Sequence, residues 1–70
     1  MKETFIIRLN ELVNTSSNTK IDIAKSLGLT YRCLHFYLKG ERDPSLTIAC
    51  SIADYFNVSL DYLCGRSDER

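Results

Sequence analysis

Apolar residues recur along most of this chain at intervals of three and four, which is the period of an α-helix. Phe5, Leu9, Leu12 and Val13 stand at i, i+4, i+7 and i+8 and predict a first helix from Thr4 to about Val13. The polar run Asn14, Thr15, Ser16, Ser17, Asn18 then reads as a loop, because these side chains compete for backbone hydrogen bonds. Thr19 opens a second helix through a Thr-x-x-Asp cap, with Asp22 in the first turn, where a negative charge suits the helix dipole. Ile23, Ala24 and Leu27 form its inner face. Thr30 caps a third helix that extends to about Lys39 and buries Leu34, Tyr37 and Leu38. Pro44 bars helix just before Ser45, which caps a fourth helix from Leu46 to Phe56. Its inner side is read as Leu46, Ala49, Ile52, Ala53 and Phe56, and Asn57 ends it. Ser59 caps a short last helix, Leu60 to Cys64, stopped by Gly65, and Arg66 to Arg70 is expected to be a mobile tail. No segment alternates over five or more residues, so no strand is expected. The pattern predicts an all-α, compact five-helix domain occupying residues 1–70.

The spacing around Gly28 narrows this further. Ala24 lies four residues before the glycine and Leu34 six after it. Gly28 supplies the left-handed residue that ends one helix, and Leu29 anchors the turn in the core. Two short helices bent in this way form a helix-turn-helix, whose second helix fits the major groove of DNA.

Composition sets the outer bounds. Seventy residues, 44% of them apolar, suit one small folded domain with a modest core. No run reaches the roughly 18 apolar residues of a membrane span, and no apolar stretch followed by a small-residue cleavage site marks a signal peptide. The expected location is the cytoplasm. Cys33, Cys50 and Cys64 are odd in number, far apart and without a Cys-x-x-Cys pair, so they read as small, partly buried apolar residues. Cys33 and His35 are two apart on a helix and point away from each other, so no metal site is expected there. No cofactor, catalytic set or small-molecule ligand is suggested: there is one histidine and no phosphate-cradling glycine loop.

Net charge is zero, yet its distribution is uneven. Residues 18–42 carry Lys20, Lys25, Arg32, Lys39 and Arg42 against Asp22 and Glu41. Residues 43–70 carry five acidic side chains against Arg66 and Arg70. The positive end coincides with the helix-turn-helix, a weaker footprint than that of a strongly basic binder.

The chain resembles the phage repressor and Cro-type helix-turn-helix domains, the xenobiotic-response-element family. The resemblance runs from Phe5 to about Asp68. It is carried by Arg8-Leu9-Asn10-Glu11-Leu12, by Ile23 to Thr30, by Gly40-Glu41-Arg42-Asp43-Pro44-Ser45 and by Ala53 to Leu63, in order and at family spacing. It implies a DNA-binding regulator of the repressor kind, whose third helix reads double-stranded DNA. Tyr31, Arg32 and Phe36 take the places of base readers. Arg32 suits a bidentate contact to guanine, Tyr31 a phosphate or a thymine methyl, and Phe36 apolar contact alone. Thr19, Lys20, Thr30, Lys39 and Arg42 are expected at phosphates. His35 lies at the edge and is expected to touch backbone or nothing.

Three departures stand out. The family commonly has an apolar residue where Asn18 stands, a change expected to loosen the first loop. Lys20 replaces a usual glutamine and can reach a phosphate only as a point charge. Val13 and Leu38 occupy the places of a frequent arginine–glutamate pair and are expected to pack together, since apolar residues can replace a buried ion pair at little cost.

A domain of this size reads few base pairs, so a weak homodimer on two half-sites is expected. Its contacts are assigned to Tyr55, Asn57, Leu60, Tyr62 and Cys64, with completion of the core as the alternative role. A second reading of the whole chain is a protein-interaction module, an antitoxin or anti-repressor. It would use Tyr31, Phe36, Ile6 and Ile7 toward a protein partner.

Overall fold

The computed structural model describes residues 2–70, with side chains from Glu3 onward. Five helices follow in order: α1 (Lys2–Thr15), α2 (Lys20–Ser26), α3 (Tyr31–Lys39), α4 (Leu46–Phe56) and α5 (Leu60–Leu63). No strand occurs among the described residues. α1 outlasts its expected end at Val13. In its last turn the Thr15 hydroxyl donates to the carbonyl of Glu11 at 2.8 Å.

Side-chain caps start the other four helices. The hydroxyl oxygens of Thr19, Thr30, Ser45 and Ser59 accept from the amides of Asp22, Cys33, Ile48 and Tyr62, three residues on. The ends are equally local. Gly28 has φ 72°, the Leu29 amide reaches back to the Ala24 carbonyl at 2.8 Å, and the Gly28 amide to that of Lys25 at 3.1 Å. This pair of hydrogen bonds closes α2 and turns the chain into α3. Asn57 ends α4 in the same left-handed region, at φ 56°.

One core joins the helices. Its five fully buried large side chains are Leu9, Ile23, Leu34, Ile52 and Leu63, one from each helix. Each such side chain contributes roughly 1.5–3 kcal/mol of burial free energy. Phe5, Leu12, Ala24, Tyr37, Ala53 and Val58 surround them, and Val13 and Leu38 lie in the same buried cluster. α3 packs between α1 and α2, and α5 packs against α1 and α4. Asn10 adds a polar tie across the α1–α3 seam, its amide donating to the carbonyls of Ile6 and Leu38 at 2.8 and 2.9 Å.

Two expectations need correction. Leu46 is not on the inner side of α4 but 72% exposed, because the first residue of the helix projects past the edge of the core. Asn18 does not leave the first loop loose. Its amide donates to the Tyr55 hydroxyl at 2.7 Å and fastens the loop to α4. Residues 66–70, expected to be a mobile tail, lie against the body. The Ser59 amide donates to the Arg70 carbonyl at 2.8 Å, and Arg8 binds the Ser67 carbonyl at 2.6 Å and the Asp68 carboxylate at 3.0 Å. Among the described residues no helix is long and apolar enough to cross a membrane.

Candidate nucleic-acid interface

The turn at Gly28 sets α3 against α2 so that Leu34, Tyr37 and Leu38 face the core. The helix period then turns Tyr31, Arg32 and Lys39 to solvent. Tyr31 is 46% exposed and Arg32 also lies in the open, so both proposed base readers near the start of α3 are accessible. His35 sits one turn beyond Tyr31, with ring centroids 5.3 Å apart in an edge-on arrangement. Its Nδ1 is buried and has no hydrogen-bond partner. His35, expected to touch backbone or nothing, instead meets the Tyr31 ring edge-on.

Phe36, the third residue assigned to base reading, is placed differently. It is half-buried, and the Arg42 guanidinium lies 5.1 Å from the centroid of its ring. Gly40 makes this possible. Its φ of 73° ends α3, the Gly40 amide bonds the Tyr37 carbonyl at 3.2 Å, and the Glu41 amide bonds that of Phe36 at 2.9 Å. The chain doubles back so that residue 42 returns over residue 36. A Cβ on Gly40 would overlap the Ile6 side chain, so close contact with α1 as well as dihedral freedom calls for glycine.

The residues assigned to phosphate contact lie at the two ends of this unit. Thr19 and Thr30 are exposed N-caps whose oxygens accept from their own helices at 3.2 and 3.0 Å, which leaves each hydroxyl hydrogen free to donate outward. Lys20 is half-buried beside Thr19, and Lys39 and Arg42 are exposed beyond the other end of α3. Among the described residues the only ion pair is Arg8–Asp68, so none of the cations around α3 is neutralised by a carboxylate. Tyr37 lies beneath this surface. The adjoining Cys33 thiol, and then burial, hold its phenol above the ordinary value of 10.0, against a smaller downward pull from Arg42.

The residues assigned to a dimer contact do not form one class. Asn57 is exposed, and Tyr55, Leu60 and Cys64 are half-buried. Tyr62 is 8% exposed, and its ring is faced by the guanidinium groups of Arg8 at 4.1 Å and Arg70 at 5.4 Å. Its side chain belongs to the core of its own domain, the alternative role left open by the sequence. Arg8 itself was legible only as part of a motif, since its partners lie more than fifty residues downstream. The three cysteines are free thiols, and no group of three metal-ligating side chains occurs among the described residues. An open polar cleft of about 360 Å³ lies between Asn18, Asp22, Lys25, Ser26 and Tyr55, without the apolar enclosure of a small-molecule site.

A compact helical body that turns a capped helix outward, with unpaired cations at both ends, defines a helix-turn-helix domain. Residues 11–63 match the helix-turn-helix family, and the chain belongs to that family, in its phage repressor and Cro type. It is 40% identical over 43 residues to an uncharacterized HTH-type transcriptional regulator of Methanocaldococcus jannaschii, a match covering 61% of this chain and 65% of the relative. The solution structure of the SOS-response transcriptional repressor LexA from Eubacterium rectale superposes with a TM-score of 0.84 at 32% identity, covering 89% of this chain and 66% of that one. The matches thus span just under two thirds of the length of these relatives.

Proposed function

We propose that this domain is a sequence-specific double-stranded DNA-binding transcriptional regulator, a repressor that reads the major groove with α3. The observation that carries this reading is the outward projection of Tyr31 and Arg32 from a helix whose opposite side is locked into the core. In this reading Thr19 and Lys20 hold one phosphate at the start of α2, and Lys39 and Arg42 hold another beyond α3. These contacts fix register, and Arg32 supplies a forked contact to guanine, worth roughly 1–3 kcal/mol of discrimination. Zero net charge keeps non-specific affinity modest, so two domains on adjacent half-sites are needed for tight binding. Asn57, with the half-buried Tyr55, Leu60 and Cys64, is the surface assigned to that homodimer.

The test is selection of bound sequences from random duplexes at low salt. A two-fold symmetric motif is expected, with the guanine preference lost in Arg32→Ala and affinity falling steeply as salt rises. A chain that enriches no sequence rejects the reading. A second reading is favoured by the apolar side chains of Ile7 and Leu46 in open solvent: a protein-docking module on the same fold. Its partner contact would survive the salt that releases DNA.

A further inference from the structure

Phe36 has no polar atom with which to read a base edge, and the structure gives its ring another occupation. Arg42 lies over it at 5.1 Å, within the range at which a cation is held by an aromatic face. Two constraints bring the pair together. On one side the left-handed Gly40, pressed against Ile6, reverses the chain at the end of α3. On the other, Pro44 fixes its own backbone before the Ser45 cap of α4. The short segment between them carries Arg42 back over the ring. Glu41 and Asp43 flank Arg42 in sequence, yet neither forms an ion pair with it, so its forked donors stay free for another acceptor.

We propose that Phe36 is a positioning residue: its ring holds the Arg42 guanidinium, unpaired and oriented, at the end of α3 to receive a phosphate oxygen of the DNA backbone. This rests on the DNA-binding reading above and deepens it. An arginine on an open loop must give up rotamer freedom when it binds, and a ring beneath it reduces that loss before the duplex arrives. Base reading then belongs to Tyr31 and Arg32, and Phe36 contributes affinity without sequence preference.

The experiment is a double-mutant cycle on the full chain, with the duplex recovered by selection as the probe. Phe36→Leu keeps an apolar side chain but removes the aromatic face, and Phe36→Tyr keeps the face. Phe36→Leu is expected to weaken binding about five-fold, in line with an exposed cation–aromatic contact, with base preferences unchanged at every position. In the Arg42→Ala background the same change is expected to cost nothing, and Phe36→Tyr is expected to bind like the parent. Without DNA, the Arg42 side-chain protons should show an upfield ring-current shift that disappears in Phe36→Leu and persists in Phe36→Tyr.

An unchanged affinity in Phe36→Leu overturns the proposal. So does a preference altered at one base position, or an equal loss with and without Arg42. A parent chain that shows the ring-current shift but binds no duplex overturns the DNA-binding reading itself, and with it this role for the ring.

Discussion

The Arg8 guanidinium stands 4.1 Å from the centroid of the Tyr62 ring and donates to the main-chain carbonyl of the same residue. A second bond from that group reaches the Ser67 carbonyl at 2.6 Å, so one side chain of α1 holds both α5 and the segment that follows it. Hydrogen bonds from a charged donor to carbonyls contribute about 1.5–3 kcal/mol, more than neutral ones. Arg8→Ala should therefore lower the unfolding free energy by about 2–3 kcal/mol, read from a urea transition. Arg8→Lys should recover only part of this, since an ammonium lacks the planar fork. Asp68 is fully exposed, so Asp68→Asn should leave the urea midpoint where it is. A larger effect from Asp68 than from Arg8 would mean that the surface ion pair, not the carbonyl bonds, holds the tail.

Gly28 and Gly40 have almost the same φ, 72° and 73°, in different surroundings. A Cβ at Gly28 would meet nothing within 4 Å, whereas at Gly40 it would run into Ile6. Gly28→Ala should cost only the left-handed strain, about 1–2 kcal/mol. Gly40→Ala should cost about 1 kcal/mol more, at the low end of overpacking because the obstructing atom is the flexible end of Ile6. Ile6→Val removes that atom and should close the gap between the two alanine variants. Equal costs without Ile6→Val would show that the approach of α1 places no demand on Gly40.

Capping chemistry acts across three to five residues, which is why so much of the fold was legible in the sequence. Thr19, Thr30, Ser45 and Ser59 carry both the signal and the bond that answers it, and Gly28 or Asn57 ends a helix by its own dihedral preference. Helical spacing likewise identified Leu9, Ile23, Leu34 and Ile52 as core. What escaped depends on distant parts of the chain. Nothing near Tyr62 indicates that two arginines will approach its ring, and nothing near Phe36 indicates that the loop beyond Gly40 returns Arg42 over its ring. Leu46 obeys the α4 period and still points outward, because a periodic stripe does not say where the core stops.

Tyr37 carries a pH dependence. Its phenol is held above the ordinary value, first by Cys33 and then by burial. A raised folded-state value means that folding favours the neutral phenol. That stability is complete below the unfolded value of about 10 and is lost as pH rises through the higher folded value. Thermal unfolding measured from pH 8 to 11 should show a decline above pH 10 that is shallower in Tyr37→Phe. An identical alkaline decline in the two proteins would assign it to other groups.

Thr30 can separate folding from recognition. Its oxygen accepts from the Cys33 amide at 3.0 Å and caps α3 at the end that Tyr31 and Arg32 share. Aspartate caps as well as threonine, and its charge suits a helix N-terminus, so Thr30→Asp should match or slightly exceed the parent in thermal stability. The same carboxylate would face DNA phosphates, and duplex affinity should fall about tenfold or more, an effect of roughly 1.4 kcal/mol that shrinks as salt rises. Thr30→Ala should show the opposite balance, losing about 1 kcal/mol of stability and less affinity than the aspartate variant. If Thr30→Asp binds duplex as tightly as the parent, the start of α3 does not lie along the phosphate backbone, and the orientation assigned to Tyr31 and Arg32 on DNA is wrong.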